Sequence, residues 1–338
     1  MIKPGDMISV EQIPHLTKTY LGARFLASIL FHGASGWEMY LPVEPPGKVM
    51  LTRGWPAEAF YFAAEPEAET DIRSEFLNFL AQVANIKSVK RAFSAIEDDI
   101  FNLSASLAKL NVLHSQTNYP SGAERFAATE VEYILFICRS LFDLLQEVLR
   151  ELWEGIELDD KSLKKRPLKK SFAEMTLHSN EILAAEDIAK KHNMPMAIAE
   201  CYAGHAHMFL KVRKFRDDLI HRGHRIQTIF KGEEEYLISK DLGSFKDIKI
   251  WREDEVRENN LAPLAPVLHL MIHGTLAACE EFAVILQRHC RWLEPTVPGM
   301  HLYMRGYFNR ELKSALADAD SRLAEGRTLL DGVVHQRA

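Results

Sequence analysis

The sequence predicts a mostly α-helical protein with long antiparallel helices, a β-hairpin insertion late in the chain, and a small irregular or α+β region at the N-terminus. Three observations predict this class. Apolar residues recur every three or four positions, these periodic stretches are long, and proline and glycine recur in the first 70 residues. The composition, with 338 residues of which 47% are hydrophobic and 26% charged, is that of a globular chain.

The chain divides into two predicted regions. Residues 1–70 contain the irregular stretches LPVEPPGKVM and RGWPAEAF, together with GWEMYL and AFYFAA as candidate strands. No motif in this region indicates its role. Residues 71–338 form the predicted helical domain, with its core at about 124–290.

A seam of twelve apolar positions opens the helical domain, with alternating spacings of four and three. Its members are Ile72, Phe76, Phe79, Val83, Ile86, Val89, Phe93, Ile96, Ile100, Leu103, Leu107 and Leu110. This period is typical of a helix that packs along its length against another. The pattern fits one long helix or two helices that break near Asn85, and the sequence leaves both open.

The rest of the domain is predicted as five further helices and a hairpin. A helix over 126–153 is apolar on nearly all sides, which indicates burial, and Arg139 and Asp143 can pair across one of its turns. A basic loop over residues 159–170 then precedes the later elements. These are helices near 178–193, 196–222, 264–290 and 308–333, with RIQTIF and EYLIS as the strands of the hairpin.

The stretch FLKVRKFRDDLIHRGHR, residues 209–225, ends one of these helices. The buried stripe of that helix consists of Met208, Val212, Phe215 and Leu219. At about 100° per residue, Asp217 and His221 fall on the polar side and Arg216 lies at its edge. Gly223 is well placed to end the helix, so His221 falls in the last turn, where the helix dipole favours imidazolium.

Arg216-Asp217-x-x-x-His221 resembles the R-x(4–6)-H motif of HEPN domains, including the polar residue after the arginine. The resemblance covers residues 124–290 and implies a HEPN-like helical bundle that acts as a metal-independent endoribonuclease, with no cofactor and no metal ion. It implies that His221 acts as general acid or base, that Arg216 orients the scissile phosphate, and that Asp217 positions one of them. The physiological setting it implies is a toxin or an antiviral defence component.

The partner expected from this resemblance is RNA. Six basic side chains are the expected RNA contacts: Arg213, Arg222, His224, Lys164, Lys165 and Arg166. A homodimer is also implied, with the apolar seam as one candidate surface, and a cognate antitoxin or other partner protein would fit a toxin. The alternative is a non-catalytic HEPN-like helical module that binds nucleic acid or protein.

Charge and cysteine usage limit the remaining classes. The formal net charge of −6 means that any contact with nucleic acid needs a local basic patch. Four cysteines without CxxC spacing suggest buried thiols in a reducing compartment. His269 and His273 have the spacing of a metal pair, but their apolar surroundings favour a structural role.

The chain starts without a signal-peptide pattern, and no uninterrupted apolar run approaches the roughly 20 residues of a membrane span. The sequence therefore predicts a cytoplasmic protein without membrane contact.

Overall fold

A computed structural model describes the chain over residues 6–17, 28–43, 47–116, 123–221, 229–240 and 248–328. For residues 6, 123 and 216–221 it describes the backbone only.

A mixed sheet of seven strands dominates the N-terminal part of the fold. In spatial order its strands are β1 (Asp6–Ser9), β4 (Lys48–Arg53), β3 (Gly36–Val43), β2 (Ile29–Gly33), β5 (Ala59–Ala63), β14 (His301–Arg305) and β6 (Ile72–Arg73). All neighbouring strands are antiparallel except β2 and β5, which pair in parallel at Phe31 and Phe62. Because β14 comes from residues 301–305, the sheet joins the N-terminal region to the C-terminal part of the chain.

This sheet shows that the predicted fold class was wrong. Over the residues that the structure describes, the protein is a mixed α/β structure with 54% helix and 20% strand, and not a mostly α-helical, HEPN-like bundle. GWEMYL and AFYFAA are strands, as predicted. The error arose because six of the seven strands have six residues or fewer and are separated by segments rich in proline and glycine, which weakens a period-two pattern.

Eight helices are present in the part of the chain that the structure describes. They are α1 (Glu75–Gln82), α2 (Lys90–Ser115), α3 (Ala123–Gly155), α4 (Phe172–Thr176), α5 (Ala185–His192), α6 (Met196–His221), α7 (Ala265–His289) and α8 (Asn309–Ala324). The predicted helix near 178–193 is shorter than expected, because β8 (Leu177–His178) and β9 (Glu181–Ile182) form a small hairpin before α5. The other predicted helices are present with shifted ends.

The hairpin predicted after α6 is confirmed in its described part, while residues 225–228 of the predicted strand RIQTIF lie outside the described residues. Its strands are β10 (Phe230–Lys231) and β11 (Tyr236–Ser239), which pair antiparallel, and β12 (Leu261–Pro263) adds a third strand to β11. A separate two-stranded pair joins β7 (Glu157–Leu158) to β13 (Cys290–Arg291). This pair ties the segment after α3 to the end of α7.

The seam divides into two helices, which confirms the second of the two alternatives. α1 ends at Gln82, Asn85 lies in the break, and a short 3-10 turn over Lys87–Val89 leads into α2. Nine of the twelve seam residues are buried inside the chain; only Ile72, Val83 and Ile86 are partly exposed. The seam is therefore core, and the expectation that it offers a dimer surface was wrong.

The helices α2 and α3 pack as a long antiparallel pair. Lys109 of α2 pairs with Glu130 of α3, and Arg91 of α2 pairs with Glu147 of α3 at 3.6 Å. Residue numbers therefore increase in opposite directions along the two helices. α3 then packs against α6 and α7, and α7 packs against α8. The predicted Arg139–Asp143 pair is confirmed at 2.5 Å.

The sheet covers α1 and α2 with one face. Alternation along β5 places Phe60 and Phe62 towards the helices, where the Phe60 ring lies 5.0 Å from that of Phe101 in α2. Tyr61 points to the opposite face, against Trp37 and Tyr303. The space between the sheet and α2 holds a cavity, which is described below.

Within the described residues, α7 is the one helix that is long and apolar enough to cross a membrane. Half of its most apolar window is buried inside the protein. His269 and His273 on α7 lie 2.7 and 3.1 Å from Asp318 and Asp320 of α8. These contacts fit a core helix, and the finding is weak evidence of membrane insertion.

Candidate functional site

The helix α6 carries the predicted catalytic motif. Its backbone runs without interruption from Met196 to His221, and Met208, Val212 and Phe215 of the predicted stripe are buried. The side chains of Leu219 and of the predicted catalytic residues lie outside the described residues; those catalytic residues are Arg216, Asp217 and His221. Arg222, Gly223 and His224 also lie outside them. Arg213 is described, and its side chain is half-buried and engaged in an interaction.

The basic loop before α4 carries the other predicted RNA contacts. Lys164 and Arg166 are exposed. The Lys165 ammonium is half-buried and donates to the carbonyls of Trp153 and Ile156, where α3 ends. Burial lowers the pKa of Lys165 below its ordinary value. Two of its three N–H donors thus satisfy carbonyls at the α3 terminus, which leaves Lys164 and Arg166 as the more accessible cations.

The structure does not bring this loop and the motif together within one chain. The Asn193 side chain donates to the Lys164 carbonyl at 3.0 Å, and the Arg166 amide donates to the His192 carbonyl at 2.9 Å. The loop thus lies at the beginning of α6. Residues 196 and 216 are 20 positions apart, or about 30 Å at about 1.5 Å per residue. The two basic regions therefore lie near opposite ends of the helix.

A cavity of about 860 Å³ lies between the large sheet and α2. Its floor is apolar and includes Ile29 and Phe62 from the sheet and Phe93 from α2. Glu97, one turn beyond Phe93, contributes a carboxyl group to the wall. Glu11 and Glu58 also line the cavity, and no described lining residue is Lys, Arg or His. The space is large enough for a small organic ligand, and its described charged groups are all acidic.

Glu97 is the most perturbed carboxyl group of this cavity. Burial, with a smaller contribution from the neighbouring Asp98, raises the pKa of Glu97 to about 8. Among the residues that the structure describes, none forms an ion pair or hydrogen bond with its carboxyl group. A carboxyl group that stays protonated near neutral pH can donate a hydrogen bond, and a cation placed beside it would favour its ionised form.

Sequence reasoning missed Glu97 because an acidic residue on the polar side of an amphipathic helix is usually exposed. The sheet, which the sequence did not predict, lies across the cavity from that side of α2. The short strands GWEMYL and AFYFAA were the available signal for this sheet, but their pairing partners come from distant parts of the chain.

A second cluster joins α6 to α7 and combines three side chains of different chemistry. The Cys201 Sγ, a ring nitrogen of His205 and a carboxylate oxygen of Glu281 lie within 4.8 Å of one another. His205 Nε2 is 2.8 Å from Glu281 Oε2. Cys201 and His205 are buried, and burial holds the pKa of the Cys201 thiol well above its ordinary value. All four cysteines are buried and free, as the sequence predicted.

In comparisons with known proteins, the chain matches no family model, no curated protein and no solved structure. The resemblance to HEPN domains therefore rests on the motif alone.

Proposed function

We propose that this chain is a metal-independent endoribonuclease in which Arg216 and His221 act on RNA. The observation that carries the proposal is the unbroken course of α6 to His221. On one continuous helix, Asp217 and His221 are four positions apart and share a face, with Arg216 at the edge of that face. The described part of the helix reaches the histidine, so one helical framework carries all three residues.

These residue types suit cleavage by the RNA's own 2′-hydroxyl group. Histidine is the side-chain type best suited to proton transfer near neutral pH, and His221 would take a proton from the 2′-hydroxyl or give one to the departing 5′-oxygen. Arg216 would hold the phosphate and stabilise the charge that develops on it, which its planar guanidinium suits. Asp217 would hold either His221 or Arg216 in position. The nucleophile is part of the substrate, so the mechanism needs no metal-bound water.

We further propose that the protein acts in the cytoplasm as a homodimer. The four buried free thiols support a reducing compartment. For the dimer, the exposed residues Phe126, Tyr133 and Phe136 lie on one side of α3, at spacings of seven and three. This aromatic stripe takes the place of the buried seam as the proposed dimer surface. A role as a toxin or defence component, with a partner that restrains it, is part of the same proposal.

The proposal is tested by incubating purified protein with single-stranded RNA in EDTA. The expected result is cleavage by the parent and loss of cleavage in Arg216→Ala and His221→Ala. His207→Ala is the matched control, because His207 is an exposed histidine on the same helix. Binding of RNA without cleavage by the parent would favour the alternative, a non-catalytic binding module.

A second candidate function, the binding of a small amphipathic amine, is favoured by the cavity beside α2. Its apolar floor suits a hydrocarbon body, and the acidic groups Glu11, Glu58 and Glu97 suit a cationic end. A bound ammonium group would stabilise the ionised Glu97 carboxylate, which burial disfavours in its absence.

Three probes that share the same length of hydrocarbon chain but differ in charge test this second function: dodecylamine, dodecanol and dodecanoate. Displacement of a neutral fluorescent dye, Nile red, should require the least dodecylamine and the most dodecanoate. Glu97→Gln should remove the preference for dodecylamine over dodecanol. Equal displacement by dodecylamine and dodecanoate in the parent would contradict an acidic binding cavity.

A further inference from the structure

We propose that Cys201, His205 and Glu281 bind one zinc ion that fastens α6 to α7. The inference goes beyond the proposed function and does not depend on it. Residues 201 and 216 are 15 positions apart, or about 22 Å along α6 at about 1.5 Å per residue, so the two sites are separate.

The helical framework places all three ligand atoms in one small volume. Cys201 and His205 are four positions apart on α6, so their side chains lie one above the other on the same face. Glu281 reaches them from α7, which packs against α6. Their potential ligand atoms lie within 4.8 Å of one another. Ligands of a tetrahedral zinc ion, with bonds of about 2.0 to 2.3 Å, are separated by about 3.3 to 3.8 Å, so small rotations suffice to enclose the ion.

The donor set suits zinc better than a hard cation. A thiolate sulfur, an imidazole nitrogen and a carboxylate oxygen are the three ligand types that zinc accepts, whereas Ca²⁺ and Mg²⁺ prefer oxygen alone. The Cys201 and His205 side chains are buried, while the Glu281 side chain is 54% exposed. A water molecule can therefore complete the tetrahedron from the Glu281 side. On binding, the ion replaces the thiol proton, which is released to solvent.

A hydrogen-bonded pair of His205 and Glu281 accounts for only two of the three groups. It gives no role to the Cys201 sulfur, which lies in the same cluster. A divalent cation between them changes this, since it attracts both the thiolate and the carboxylate and accepts the neutral imidazole. The sequence did not indicate this site because its ligands come from two different helices. His205 and Glu281 are 76 positions apart in the sequence.

Cobalt substitution tests the site directly. The chain is stripped of metal with a chelating resin and titrated with Co²⁺, which reports a thiolate ligand through a charge-transfer absorption band. The expected result is a band that saturates at one ion per chain and disappears when Zn²⁺ is added. Cys201→Ser should lose the band, and His205→Gln and Glu281→Gln should each weaken Zn²⁺ binding by about 10-fold or more.

Two variants serve as matched controls and should bind as the parent does. His207→Ala removes an exposed histidine two positions from His205, and Cys138→Ser removes a buried cysteine on α3. Zinc should also raise the melting temperature of the parent but not that of Cys201→Ser. If Cys201→Ser does not fold, His205→Gln and Glu281→Gln decide the matter. No Co²⁺ band in the parent, or equal Zn²⁺ affinity in the parent and both of these variants, would overturn the proposal.

Discussion

The side-chain amide of Asn85 donates to the Thr296 hydroxyl at 3.1 Å, and Thr296 donates in turn to the Ala81 carbonyl at 2.9 Å. Both side chains are buried. The backbone break between α1 and α2 is thus bonded to the segment before β14, more than 200 residues later in the chain. This contact satisfies polar groups that a break in a buried helix would otherwise leave unpaired.

Thr296→Val should destabilise the protein by about 1–3 kcal/mol, because valine keeps the shape but removes the hydroxyl that Asn85 and Ala81 share. Urea unfolding measures the effect. Thr129→Val is the control, since Thr129 is exposed on α3 and should change stability by less than about 0.5 kcal/mol. Equal effects of the two substitutions would show that the Asn85–Thr296 contact contributes nothing particular.

The sequence predicted those elements whose signals are local. The long period of α3, the stripe of Met208, Val212 and Phe215, and the hairpin after α6 each depend on residues close together in the chain. The break at Asn85 was predicted only as one of two alternatives, because its decisive partner Thr296 is distant. The large sheet was missed for the same reason, since β14 pairs with strands more than 200 residues earlier.

Glu97→Gln should change how stability depends on pH. The folded chain holds a proton on Glu97 up to about pH 8, whereas the unfolded chain releases it near the ordinary pKa of 4.5. Parental stability therefore falls between these pH values, by as much as about 1.4 kcal/mol per pH unit. Glutamine does not titrate, so the variant should gain stability relative to the parent as pH rises from 5 to 8. Urea unfolding over this range measures the difference.

The control for that experiment is Glu154→Gln, which alters an exposed carboxylate on α3. Its stability should run parallel to that of the parent across the range. A Glu97→Gln curve that also runs parallel would show that the Glu97 carboxyl group is not desolvated in the folded protein.

Arg322→Met should cost about 3–5 kcal/mol, because it removes a buried guanidinium that holds two carboxylates. Arg322 donates to both Glu255 oxygens at 2.6 and 2.8 Å and to Asp318 at 3.0 Å. Hydrogen bonding by Arg322 lowers the pKa of Glu255. The stability that the Arg322–Glu255 contact contributes is present above the pKa of Glu255 in the unfolded chain. It is lost as pH falls through the lower pKa of Glu255 in the folded chain. The cost of Arg322→Met should therefore shrink below about pH 4.

Denaturant unfolding at pH 7 and pH 3.5 checks this prediction. Arg310→Met, which removes an exposed arginine on the same helix, should have little effect at either pH. A cost for Arg322→Met that is the same at both values would contradict the role assigned to Glu255.

Phe136→Asp should convert the proposed homodimer to a monomer, because it places a charge within the aromatic stripe of α3. Light scattering after gel filtration measures the mass. Tyr307→Asp is the matched control, since Tyr307 is 66% exposed but lies outside α3. A parent protein that is monomeric at all concentrations, or a Phe136→Asp protein that remains dimeric, would remove α3 as the dimer surface.

The candidate sites were predicted to different degrees. A motif such as Arg216-Asp217-x-x-x-His221 lies within two helical turns and is visible in the sequence. Glu97 gains its unusual environment from a sheet packed over α2, and Cys201 meets Glu281 only because α6 and α7 are neighbours. Such groups cannot be recognised before the tertiary packing is known. Lys165 shows the converse, because packing directs a lysine of a basic loop into the end of α3.

The most direct test of the central claim compares cleavage of RNA with cleavage of DNA of the same sequence, in EDTA. The account predicts that the parent cuts only RNA and leaves 2′,3′-cyclic phosphate and 5′-hydroxyl ends, because the 2′-hydroxyl is the nucleophile. His221→Ala should be slower by about 10²- to 10⁴-fold, and His207→Ala should match the parent. Cleavage of RNA by His221→Ala at the rate of the parent would contradict the account.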